Sequence, residues 1–140
     1  MEFSLKLDCT DINWDIVCEV IEKAGLSWHS AKERQISFEN SFIRVFVFHK
    51  DRLIGTGRAI SDGIFQACIY DIAVLPEYQK NGIGKIIMKS LEGRLQNMNI
   101  LLYANPNAQN FYKKLGYSKM LTGMAKFKNA ESMRERGFIE

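Results

Sequence analysis

From Asp71 to Lys85 the chain reads Asp71-Ile72-Ala73-Val74-Leu75-Pro76-Glu77-Tyr78-Gln79-Lys80-Asn81-Gly82-Ile83-Gly84-Lys85. An apolar run ends at a proline, and a polar loop with two glycines then opens into a segment of helical apolar spacing. This predicts a strand, a turn and a helix start. Such a start has four backbone N–H groups without intrahelical acceptors and the positive end of the helix dipole, which together suit a phosphate or pyrophosphate. Gly82 and Gly84 let the backbone approach the anion with no Cβ in the way, and Lys80, Lys85 and Lys89 bracket the loop with positive charge. A dinucleotide fingerprint needs a third glycine at another spacing, and a P-loop needs a terminal GK[ST]; neither is present.

The second chemically suggestive stretch is Asn105-Pro106-Asn107-Ala108-Gln109-Asn110-Phe111-Tyr112-Lys113-Lys114-Leu115-Gly116-Tyr117. Gln79 to Gly84 fits the pattern Q/R-x-x-G-x-G/A and Asn105 to Tyr117 fits N-x-x-A-x-x-F/L-Y-x-K-x-G-F/Y. In that order, with one helix and one strand between them, they resemble the two hallmark motifs of the GNAT acetyltransferases. The resemblance implies a strand backbone at Ile72, Ala73 and Val74 that pairs with the pantetheine arm of acetyl-CoA, and residues Gln79, Lys80, Asn81, Gly82, Ile83, Gly84 and Lys85 around its pyrophosphate. Asn105, Phe111 and Tyr112 are further implied cofactor contacts. The implied activity is transfer of acetyl from acetyl-CoA to an amine of a small molecule or peptide by direct attack. A catalytically silent acyl-CoA sensor or interaction module of the same fold is the alternative.

Attack of a neutral amine on a thioester needs a polarised carbonyl, an acceptor for the amine proton and a donor to the departing thiolate. A backbone N–H near Ile72 or Ala73 serves the first need. Tyr112, with an ordinary phenol pKa of about 10, is protonated at neutral pH and serves the third. For the second, Tyr70 and Asp71 are the strand candidates, and Asp71 has two open readings, a base or a hydrogen-bonded structural acid. Alternation turns adjacent strand residues to opposite faces, although a bulge re-aims them. Trp28 and Glu33 fall where relatives cover the acceptor. His29 and His49 are expected at the surface.

These residues need a scaffold. Residues 3–7 alternate as a strand, residues 13–24 form a helix ended by Gly25, and residues 30–38 form a second helix. Strands over 42–49, 52–60 and 64–74 meander through turns at Lys50-Asp51 and Ser61-Asp62-Gly63. A helix over 83–98, a strand over 100–103, a helix over 107–115 and a hairpin of 117–121 with 124–127 complete the pattern. Residues 129–140 read as a charged, loosely packed tail. The expected architecture is α/β (α+β), one domain over 1–140. The resemblance implies a mixed, mostly antiparallel sheet of six or seven strands with helices on both faces and a splayed parallel pair.

Composition narrows the classes. With 140 residues, 46% of them hydrophobic, one core is affordable without disulfide or metal. Cys9, Cys18 and Cys68 have no metal or disulfide spacing, so no metal is expected. The net charge of +3 is scattered, with no basic stripe for nucleic acid. No apolar run of about 18 residues suggests a membrane span. A cytoplasmic protein is expected, and an exposed terminal strand allows a homodimer by sheet extension.

Overall fold

The computed structural model describes residues 2–140, which fall into two compact units, one ending at Leu101 and the other starting at Leu102. The first holds β1 (Ser4–Lys6), α1 (Trp14–Lys23), α2 (Ala31–Glu39), β2 (Ile43–His49), β3 (Arg52–Ser61), β4 (Gln66–Val74), a 3-10 turn (Pro76–Tyr78), α3 (Ile83–Gly93) and β5 (Asn99–Leu101). The strands lie in sequence order in one sheet, with antiparallel neighbours except the parallel pair β4–β5.

Alternation along β2 and β3 builds two cores. Phe46 faces α1 and α2, stacking on Phe38 at 5.4 Å and meeting Trp14 edge-on at 5.9 Å. Facing the other way, Val45 and Val47 pair with Gly57 and Gly55, which leave room for α3. Helix α3 buries Ile83, Ile87, Met88 and Leu91 there, and each such side chain is worth roughly 1.5–3 kcal/mol of transfer free energy. Helix starts are fixed locally: Asn13 caps α1, and Ser30 and Glu33 form a reciprocal capping box on α2.

The second unit holds a 3-10 turn (Pro106–Ala108), α4 (Gln109–Lys114) and α5 (Ala130–Glu135). Three expectations change here and nearby. The described residues give five strands, not six or seven, because 117–121 and 124–127 form no strands. Leu121 and Met124 there are 91% and 96% exposed, and a lone hairpin with no apolar layer against it is not stable. Helix α3 stops at Gly93 rather than 98, as Arg94 to Met98 turn through a positive φ of 66° at Asn97. Part of the tail is the ordered helix α5, capped by Asn129. Among the described residues no helix is long and apolar enough to cross a membrane.

Candidate active site

Between β3 and β4 the register jumps from Arg58 opposite Tyr70 to Thr56 opposite Ala73, so Asp71 and Ile72 together face the single residue Gly57. This is a β-bulge, and Asp71 takes the left-handed φ of 56° that it requires. Three contacts hold it. The Thr56 hydroxyl donates to the Asp71 carbonyl at 2.9 Å, Arg58 Nε donates to Asp71 Oδ2 at 2.7 Å, and Arg34 Nη1 donates to Asp71 Oδ1 at 3.1 Å. Arg58 also lies over the Tyr70 ring at 5.2 Å. Tyr70 and Asp71 therefore share a face despite being adjacent, which strict alternation forbids and the bulge permits.

Asp71 is 12% exposed and both its carboxylate oxygens are taken by guanidinium groups. The geometry fits the structural reading of this residue, an acid whose two oxygens hold neighbouring side chains in place. Arg34 and Arg58 carry no motif. Arg34, however, stands four residues before Phe38 on one face of α2, and both are buried. An interior arginine demands an anion, and that was the available signal.

Beyond the bulge the sheet opens. Strand β5 pairs with Gln66, Ala67 and Cys68 of β4, so on that side, among the described residues, Ile69 to Val74 run without a strand neighbour. The 3-10 turn follows, and then the loop of Gln79 to Gly82, which is exposed. Its side chains brace its own backbone: Gln79 Nε2 donates to the Val74 carbonyl at 3.1 Å, and Asn81 Nδ2 to the carbonyls of Tyr78 (3.1 Å) and Gln79 (3.2 Å). Lys80 and Gly82 have φ of 68° and 78°. Gly82 is the N-cap of α3, and unlike α1 and α2 this helix has no side-chain cap and no acidic residue in its first turn. A Cβ at Gly82 would point into open space. An uncapped, cation-flanked helix start of eleven residues is what an exposed anion site requires.

The remaining predicted positions are less direct. Glu33 spends Oε1 on the Ser30 N–H and hydroxyl, both at 3.0 Å, and those bonds hold its carboxyl below the usual range. Trp28 is 66% exposed. His29 is exposed as expected, but His49 is half-buried and shares a 2.7 Å hydrogen bond with the Tyr78 hydroxyl. In the second unit, Asn105 Oδ1 accepts the Asn107 N–H at 3.1 Å and caps the turn before α4. The Tyr112 ring packs edge-on against Phe111 and Tyr117, and burial pushes its phenol above the ordinary value. Helix α4 closes in a Schellman turn at Gly116, φ 96°, with the Tyr117 N–H on the Tyr112 carbonyl.

Comparison with known proteins agrees with this arrangement. Residues 12–117 match the Acetyltransferase (GNAT) family. The uncharacterized N-acetyltransferase ycf52 of Gracilaria tenuistipitata is 38% identical over 71% of this chain and 58% of its own length. Serotonin N-acetyltransferase 2, chloroplastic, of Oryza sativa is 26% identical over 94% of this chain and 71% of its own. The chain thus spans about 60% of the length of the first of these relatives. A GNAT family acetyltransferase structure from Streptococcus pneumoniae superposes with a TM-score of 0.77 at 22% identity, covering 91% of this chain and 98% of the other, and shows the shared fold. A bulged and half-unpaired β4 running into an uncapped glycine helix start, together with the match over residues 12–117, makes this chain a member of the GNAT acetyltransferase family.

Proposed function

We propose that the chain transfers the acetyl group of acetyl-CoA to an amine of a small molecule or peptide by direct attack. The observation that carries the reading is the start of α3, which has an αL glycine, no side-chain cap and no acidic residue. A side-chain cap of the kind α1 and α2 have would stabilise the helix by only about a few tenths of a kcal/mol over glycine, but its oxygen would take up N–H groups that glycine leaves open. Leaving it out favours a ligand that supplies the acceptors itself, and the pyrophosphate of acetyl-CoA is such a ligand.

In this reading the loop of Gln79 to Gly84 and Lys85 hold the pyrophosphate, and the strandless side of Ile72 to Val74 hydrogen-bonds the pantetheine. The amine nitrogen bonds to the acyl carbon, the carbon–sulfur bond breaks and the sulfur takes a proton from Tyr112, while the amine's own proton leaves to water. A backbone N–H at the bulge stabilises the carbonyl oxygen as charge develops on it. Burial keeps the Tyr112 phenol protonated, as a donor must be.

Asp71 favours a second reading, an acyl-CoA sensor without turnover, because the strand carboxylate is bound by two arginines. One experiment addresses the first reading and prepares the second. Acetyl-CoA is titrated calorimetrically into the wild type and into Gly82→Asp/Gly84→Asp. Losing two charge-assisted bonds to the pyrophosphate weakens binding on the order of 100-fold or more, and equal affinity in the variant, or no binding by the wild type, defeats the acetyl-CoA reading. Thiol release with an amine panel, beginning with serotonin, the amine in the rice relative's name, then separates enzyme from sensor.

A further inference from the structure

The buried charges at the bulge do not balance. Two guanidinium groups, from Arg34 and Arg58, meet one carboxylate, and the Nε of Arg34 has no hydrogen-bond partner among the described residues. Arg58 and the Thr56 hydroxyl already hold the bulge from within the sheet. A second buried arginine with an unsatisfied N–H costs stability. Its other hydrogen bond shows what it adds: Nη2 donates to the Ser27 carbonyl at 2.5 Å.

Ser27 belongs to the connection between α1 and α2. Gly25 and Leu26 close α1 through their N–H groups, and the Cys18 thiol reaches the His29 carbonyl at 3.3 Å. Between those points, among the described residues, Arg34 is the side chain that holds Ser27, next to the exposed Trp28. One planar fork therefore joins the α1–α2 connection to the strand bulge. Lysine cannot substitute for it, because a single ammonium does not span the two acceptors as a guanidinium does.

We propose that Arg34 is a positioning residue, a latch through which acetyl-CoA bound along β4 orders the α1–α2 connection before the amine arrives. The inference rests on the acetyl-CoA reading above. A ligand that pairs with Ile72 to Val74 favours one geometry of the adjacent Asp71. Asp71 then fixes Arg34, and Arg34 fixes Ser27. Ligand binding shifts the connection only because these contacts differ between its fixed and free states, and the coupling is reciprocal.

Backbone hydrogen exchange of the full chain tests this without knowledge of the acceptor. In the wild type, saturating acetyl-CoA slows exchange at residues 79–86 and also at residues 26–30, the latter by about 5-fold or more. In Arg34→Lys the slowing at 79–86 remains at saturating ligand, acetyl-CoA affinity falls by about the same 5-fold that the wild-type coupling supplies, and the slowing at 26–30 disappears. A purely structural arginine would instead speed exchange throughout, with or without ligand. If Arg34→Lys does not fold, Arg34→Met, which leaves no buried charge, replaces it. Slowing at 26–30 that survives in the variant overturns the latch, and so does a wild type in which 79–86 slow and 26–30 do not. A wild type that slows at neither segment removes the acetyl-CoA reading and the latch with it.

Discussion

Gly57 is where a single methyl group tests the bulge. A Cβ built there lies 2.6 Å from Ile87 Cγ2, 2.9 Å from Ile72 Cδ1 and 3.3 Å from Leu91 Cδ1, whereas carbon atoms rest about 3.5–4.0 Å apart. Ile87 and Leu91 are fully buried in the face of α3, and the nearest atom is the branch methyl of Ile87, so the closest contact is relieved only by moving packed core. Overpacking of this kind costs about 1–3 kcal/mol, offset by about 0.4–1 kcal/mol from the reduced freedom of the unfolded chain. Gly57→Ala is therefore expected to lose roughly 1–2 kcal/mol, or about 3–6 °C in melting temperature for a chain of this size. Gly93→Ala is the matched control: at the end of α3, with nothing within 4 Å of its Cβ, it is expected to be neutral or slightly stabilising. Urea and thermal unfolding followed by circular dichroism measure both. A Gly57→Ala protein as stable as the wild type would refute the packing argument.

Two further outcomes follow from the charges and the phenol. Asp71→Asn leaves two buried guanidinium groups facing no anion and is expected to cost about 3–5 kcal/mol, while Glu77→Gln, in the solvent-screened pair with Arg52, is expected to unfold with the wild type; urea unfolding reads both. Burial raises the Tyr112 pKa above about 10, so the unfolded chain loses that proton first and stability falls as pH rises past about 10. Tyr112→Phe flattens that alkaline loss and lowers turnover about 100-fold at unchanged acetyl-CoA affinity; unchanged turnover removes Tyr112 as the acid.

The loop before α3 was legible as local structure because its information is local. Pro76, Gly82 and the apolar positions from Ile83 onward fix a strand end, a turn and a helix start within fifteen residues, and backbone rules suffice to place them. The meander of β2 to β4 was legible for the same reason, since its connections are short. The end of α3 was not: Leu95 continues the apolar period and is buried, but it reaches the core from a turn rather than from helix, so burial and helicity came apart there. The hairpin over 117–127 failed differently. A strand needs a partner sheet and an apolar layer, neither of which the segment's own residues encode.

Asp71 shows why the catalytic proton acceptor was the hardest position to read. Period-two alternation assigns Asp71 and Tyr70 to opposite faces, and the bulge cancels that rule at the one place where the chemistry depends on it. Nothing within β4 announces the bulge. Its requirements lie on other elements, in the missing side chain of Gly57, the hydroxyl of Thr56 and the guanidinium groups of Arg58 and Arg34, the last 37 residues distant in sequence. The same contacts that fix the bulge also occupy the carboxylate. A rigid strand backbone and an unengaged strand carboxylate are competing demands on one residue, and both oxygens of Asp71 are spent on the arginines that hold the bulge.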